Sequence, residues 1–172
     1  MDLNAFSHLS CGMYIVSASW ELKRSGCLIN TAMWVTNTPM QVSVTVNKDN
    51  FTCSLIEKSG LFALQPVTQE ADMKFLGRFG FRSGRDMDKY QDLSTTMDKN
   101  GCPMLTNMPE VSAWFSVKVT GKLEVGTHII FVGEVQDAGI LNDKPPMTYA
   151  YYHQVKGGKT PPKAASYLPG SH

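Results

Sequence analysis

Between residues 27 and 52 the chain gathers polar side chains in two places. Asn30, Thr31, Trp34 and Thr36 interrupt an otherwise apolar run from Cys27 to Thr36, and Asn47, Lys48, Asn50 and Thr52 crowd the approach to an apolar-periodic stretch. The first group sets an amide, hydroxyls and an indole on one strand-like surface. Such a surface can hold a flat heterocycle that presents N–H and carbonyl groups. The second brings one ammonium and several donors to a helix start, where free backbone N–H groups and the positive end of the dipole favour an anion such as phosphate. A phosphorylated planar cofactor needs both. Each group also has an ordinary reading: an exposed sheet face, and a capped helix with a solvated Lys48 whose charge Asp49 partly neutralises.

Further candidates lie downstream. Ser83, Arg85 and Lys89 sit in FRSGRDMDKY. Arg85 and Lys89 are four apart and project together if the stretch is helical, giving cationic contacts to an anionic ligand. Asp86 and Asp88 offer the competing account of a surface ion-pair cluster. His128 opens THIIFVGEV; an imidazole at a strand start can donate to a phosphate, a carbonyl or an amide, and a lone His serves equally well in a core. His8, His153 and His172 are too scattered for a metal site. Cys11, Cys27, Cys53 and Cys102 form no CxxC pair and read as reduced, mostly buried thiols. No G-x-G-x-x-G signature follows a strand, so no Rossmann unit is expected.

The elements that must position these residues read as β-rich. Asp2 to Leu9 reads as a short helix, Met13 to Ser19 as a strand, Trp20 to Gly26 as a turn, and Cys27 to Thr36 as one strand. Gln41 to Val46 alternates strictly, with Val42, Val44 and Val46 on one face. Thr52 to Ser59 is a predicted helix ending at Gly60, with Thr52 and Ser54 competing for its N-cap. A strand follows at Leu61 to Leu64, then a helix from Thr68 to Phe79 capped by Thr68 and stopped by Gly80. Val111 to Leu123 and His128 to Val135 are two long strands separated by Gly126. With no repeated βα unit, the pattern predicts a mainly β fold, an antiparallel barrel with short α-helices.

Residues 1–155 form one expected domain, and 156–172 an extended C-terminal arm rich in Pro, Gly and Lys. That arm is either a disordered tail or a segment laid over a partner subunit or a ring edge, with Tyr149, Tyr151, Tyr152 and Tyr167 as covers. The last five residues, LPGSH, have the composition of a fusion remnant and are left out of the fold expectation. A net charge of +1 over 172 residues argues against a broad nucleic-acid surface. No apolar run approaches the roughly 18 residues of a membrane span, and MDLNAFSHLSCG lacks a signal-peptide core. A cytoplasmic location is expected.

Five stretches in order carry a family likeness: GCLINT with its following VT, VSVTVNKDNFT with LIEKSGLF, RFGFRSGRDMDKY, THIIFVGEV, and PPMTYAYYHQVKGGKTPPKAASY. The chain resembles the flavin reductase-like proteins with an FMN-binding split β-barrel of antiparallel Greek-key type. Within them it is most similar to the flavin reductase domain of high-molecular-weight rubredoxins and to flavoredoxin. The resemblance implies bound FMN, hydride transfer from NADH or NADPH to the flavin, and a homodimer with flavin near the interface. It also implies an electron acceptor on a separate molecule, such as a rubredoxin or a flavodiiron protein, because the iron-binding domain of the rubredoxin fusions does not follow here. Asn30, Thr31, Trp34 and Thr36 would then line the isoalloxazine, and Asn47, Lys48, Asn50 and Thr52 would hold the phosphate. Ser83, Arg85 and Lys89 would supply contacts to phosphate or ring, and His128 would stand near flavin or nicotinamide. Trp34 departs from the Gln that related sequences often carry, so ring stacking and a subunit contact both stay open for it. A non-catalytic FMN electron carrier reduced by another protein is the alternative. A pyridoxamine-phosphate oxidase-like enzyme fits NKDNFT and HIIFVGEV poorly.

Overall fold

The computed structural model describes residues 1–168, except for the side chain of Asn4; residues 169–172, within the excluded LPGSH stretch, lie outside the described residues. After a 3-10 helix at Leu3–His8, the chain forms strands β1 (Tyr14–Trp20), β2 (Lys23–Ile29), β3 (Ala32–Asn37) and β4 (Met40–Asn47), then helix α1 (Phe51–Ser59). It continues through β5 (Leu61–Pro66), α2 (Met73–Gly80), a small hairpin β6 (Thr95–Met97) and β7 (Pro103–Leu105), the long pair β8 (Ala113–Val125) and β9 (His128–Ile140), and α3 (Tyr149–Gln154). Seven strands make one antiparallel sheet in the order β2-β1-β5-β8-β9-β4-β3. The mainly β expectation and its two long strands are borne out.

The sheet curls because both its ends share one core. Val16, Ala18 and Cys27 from β1 and β2 belong to the same buried cluster as Val42, Val44 and Val46 from β4, around Cys53, Leu55 and Ile56 of α1. Fully burying each large aliphatic side chain is worth about 1.5–3 kcal/mol, so closure around α1 dominates this half of the molecule. A second cluster packs α2 and α3 against β1 through Phe75, Leu76, Phe79, Ile15 and Tyr152.

Several local expectations are corrected. The turn expected over Trp20 to Gly26 contracts to Glu21–Leu22, with Glu21 at φ 54 and the rest already paired in β1 and β2. The single strand expected from Cys27 to Thr36 is two: β2 pairs with β1, β3 pairs with β4, and the chain breaks at Asn30–Thr31 to change partners. Helix α1 is capped by Asn50, whose Oδ1 accepts from the Thr52 N–H at 3.0 Å. Thr52 and Ser54 spend their hydroxyls on Ser25 Oγ and the Phe51 carbonyl instead. Helix α2 starts at Asp72, which accepts from the Phe75 N–H at 2.7 Å, because Thr68 is held outside it by bonds with the Glu110 and Pro109 carbonyls. Gly60 ends α1 as expected, at φ 68. The FRSGRDMDKY stretch is a chain of turns, not a helix. Among the described residues no helix is long and apolar enough to cross a membrane.

Candidate functional site

The break between β2 and β3, the loop from β4 into α1 and the start of β9 meet at one partly open cleft. The alternation of β4 points its valines into the core and so brings Asn47 to the rim at the strand's end. Asn47 is the register partner of His128 in β9, so two groups far apart in sequence stand side by side. Thr31 fixes the strand break: its Oγ1 donates to the Thr45 carbonyl at 2.9 Å, and the Thr45 N–H donates to the Thr31 carbonyl at 3.0 Å. Asn30, only 6% exposed, donates through Nδ2 to Ser166 Oγ at 2.8 Å. Asn47 accepts the Asp49 N–H on Oδ1 at 2.9 Å and donates through Nδ2 to the Lys163 carbonyl at 3.1 Å. Leu28, Val46, Phe81, Tyr149 and Tyr152 supply apolar and aromatic walls.

His128 is buried, with Nδ1 2.8 Å from the Thr127 hydroxyl. Burial pushes its pKa below the ordinary imidazole value, and a hydrogen bond with the Lys163 backbone opposes the shift only in part. Burial thus favours the neutral ring, which donates through one nitrogen and accepts through the other. Burial raises the thiols of Cys27 to about 11 and of Cys53 and Cys102 to about 12, which removes them as nucleophiles. Among the described residues no group of His, Cys, Asp or Glu is placed to hold a metal ion.

Five of the sequence candidates thus converge here: Asn30, Thr31, Asn47, Asn50 and His128. Arg85 reaches the same loop from its far side, donating to the Asp49 carbonyl at 2.9 Å and lying over the Phe51 ring at 5.4 Å. Ser83 supports that turn by accepting the Arg85 N–H at 3.1 Å. Gly84 lets the turn lie flush, since a Cβ there would stand 2.2 Å from Ser25 Oγ.

The remaining candidates are engaged elsewhere. Lys48 pairs with Glu124 at 2.9 Å on the surface. Thr52 is fully buried and donates to Ser25 Oγ at 3.0 Å. Trp34 and Thr36 lie on the exposed β3–β4 hairpin, where Trp34 Nε1 donates to the Thr36 carbonyl and Thr36 Oγ1 to the Pro39 carbonyl. Lys89 does not project beside Arg85, because the turn conformation sends it inward. It is 2% exposed, and its ammonium donates to the Gly26 and Phe79 carbonyls at 2.9 and 3.1 Å. Burial lowers its pKa. Among the other cleft contributors Thr45 had no signal in the sequence, while Lys163 and Ser166 belong to the arm read as either a tail or a cover.

A curled antiparallel sheet whose edges meet over a helix start, with a cleft of neutral donors and aromatic walls beside it, defines a split β-barrel with a candidate site at its rim. The chain belongs to the flavin reductase-like family: the flavin reductase like domain matches residues 6–158. It is 38% identical over 168 residues to the ferric-chelate reductase (NAD(P)H) of Archaeoglobus fulgidus, covering 98% of each chain. It is 36% identical over 170 residues to the high molecular weight rubredoxin of Moorella thermoacetica, covering 99% of this chain and 73% of that one. Among solved structures, flavoredoxin from Methanosarcina acetivorans has the same fold, with a TM-score of 0.68 over 76% of this chain and 68% of that one at 23% identity. The flavin reductase HpaC complexed with NADP+ gives 0.72 over 85% and 89% at 22% identity. The likeness carried by the five sequence stretches is borne out.

Proposed function

We propose that the chain is an FMN-dependent NAD(P)H oxidoreductase that passes electrons from a nicotinamide nucleotide to a separate acceptor. The observation that carries this reading is the convergence of Asn30, Thr31, Asn47 and His128 on one cleft in a chain of the flavin reductase-like family. The donor set fits FMN. Asn30, Thr31 and the backbone of the strand break suit the N–H and carbonyl edge of the isoalloxazine, and the aromatic walls suit its faces. Asn47, Asn50 and the start of α1, with Arg85 and Lys48 nearby, suit the phosphate. Ser83 holds the Arg85 turn, and Thr52 and Lys89 act on the site through the elements they brace. When bound, FMN supplies the acceptance of hydride from nicotinamide and the onward delivery of electrons. The protein's part is to orient the ring, to offer a neutral imidazole at the cleft and to keep water from its apolar walls.

The relative named for NAD(P)H supports either nucleotide as co-substrate. The relative that is a rubredoxin supports a redox protein such as a rubredoxin or flavodiiron protein as acceptor. A homodimer is supported by Met33, Trp34 and Val35, which stand exposed on the edge strand β3. A cytoplasmic setting is supported by four free cysteines, three of them buried. Anaerobic mixing of FMN-loaded protein with NADH or NADPH tests the assignment. Rapid loss of flavin absorbance is expected; loss only on adding a second reductase would make the chain an electron carrier. Colourless protein that takes up no FMN at micromolar concentration would remove the reading altogether.

A further inference from the structure

We propose that the C-terminal arm, residues 159–168, is a displaceable strap that occupies the cleft's hydrogen-bonding groups and gives them up to FMN. The inference rests on the FMN reading above. The arm does not drift past the cleft; it is tied to the groups assigned there to the ligand. Asn30 donates to Ser166 Oγ, Asn47 donates to the Lys163 carbonyl, and Ser166 donates to Tyr149 Oη at 3.1 Å, closing a chain from the strand break to α3. Thr160 bonds Tyr149 as well. Because Asn30 is buried in this arrangement, a ligand reaches its amide only where Ser166 now sits.

The root of the arm is firm and its body is not. Gly158 is buried, its N–H donates to the Tyr152 carbonyl at 2.9 Å, and a Cβ there would stand 2.1 Å from the Tyr152 ring. Tyr152 Oη donates to the Lys159 carbonyl at 2.9 Å, so the hinge is fixed at the point where the family match ends. Beyond it the small apolar groups Pro161, Ala164 and Ala165 line the cleft, and the charged contact from Lys163 to Asp49 is exposed at 3.5 Å. The arm is thus held mainly by hydrogen bonds, one of them between His128 and the Lys163 backbone, and a ligand that takes over these partners can release it. The carbonyls and phosphate of FMN are acceptors, like the Lys163 carbonyl and the Ser166 hydroxyl they would replace. The exchange therefore keeps the Asn30 and Asn47 amide donors paired.

Limited trypsin digestion of the full chain, with cleavage sites assigned by mass spectrometry, tests this. Saturating FMN is expected to accelerate cleavage after Lys163 while slowing cleavage within residues 6–158, which ligand binding stabilises. In parallel, Ser166→Ala removes one strap contact, and FMN titration of that full-length variant should show several-fold tighter binding, about the worth of one net hydrogen bond. Slower or unchanged cleavage after Lys163 with FMN bound would overturn the strap, as would weaker FMN binding by Ser166→Ala; either result would make the arm a fixed wall of the site. If neither protein takes up FMN, the assigned function falls and the strap with it.

Discussion

Lys89 separates two accounts that place the same ammonium in different worlds. A cation placed for phosphate would be dispensable to the fold, whereas the structure makes it a strut. Its amine joins the Gly26 carbonyl of β2 to the Phe79 carbonyl in the last turn of α2, where helix carbonyls lack intrahelical partners. Lys89→Met keeps most of the stem volume and removes the donor. Two charge-assisted hydrogen bonds are worth about 1.5–3 kcal/mol each. Part of that returns because the variant no longer buries a charge, leaving a net cost of about 2–4 kcal/mol. For a domain of this size each kcal/mol lowers Tm by about 2–4 °C, so a fall of about 5–15 °C is expected. Melting curves at saturating FMN, paired with FMN and riboflavin titrations, read both accounts at once. The strut predicts a lower Tm and an unchanged preference for FMN over riboflavin. An unchanged Tm with loss of that preference would refute the reasoning and put the amine at the phosphate.

Further outcomes are expected at four residues. His128→Ala at saturating FMN should slow single-turnover flavin reduction and, because the ring is buried and bonded to Thr127, also lower Tm by a few degrees; a lower Tm with an unchanged rate would move His128 into the core. Because the folded imidazole pKa is lowered, the unfolded chain binds the proton more readily, so stability should fall as pH drops below about 6.5; denaturant melts across that range should show a shallower acid slope in His128→Ala. Lys48→Ala breaks only an exposed pair with Glu124 and should leave Tm unchanged; if Lys48 turns to the phosphate, FMN affinity falls roughly tenfold or more while riboflavin affinity holds. Asn50→Ala loses the α1 cap and should cost about 1 kcal/mol, seen as a Tm lower by a few degrees. Trp34→Glu puts a charge on the exposed face of β3 and should shift sedimentation toward monomer, with no shift if that face is free of a partner.

Much of the fold was legible because β4, β8 and β9 alternate cleanly and Gly60 stands where a helix must stop. The break at Asn30–Thr31 was not, since polar residues at a change of strand partner look the same in sequence as polar residues on an exposed face. The α1 cap was ambiguous for a chemical reason: Asn50, Thr52 and Ser54 can all cap a helix, and only Ser25 beside Thr52 decides among them. For the candidate site, residue type alone pointed to Asn30, Asn47 and His128, which meet at the cleft. It misplaced Lys89, because a lysine's burial depends on carbonyls from distant segments. For the arm, composition left a disordered tail and a cover over a partner or a ring edge both open, since the bonds that seat it over the cleft span 136 and 116 residues.

The sharing of one core by both ends of the sheet also orders events in time. Asn30 and Thr31 join β2 to β3, the two outermost strands of the sheet, so the cleft comes into being only when the edges have met over α1. The β1–β2, β3–β4 and β8–β9 hairpins close locally, but none of them carries a complete set of cleft groups. A ligand of this cleft therefore has nothing to bind until folding is nearly over. It cannot hasten the search for the native topology; it can only hold the finished barrel shut, by about 2.7 kcal/mol at a hundredfold excess over its Kd. That gain falls on the unfolding rate, giving the loaded protein a longer lifetime with no faster birth.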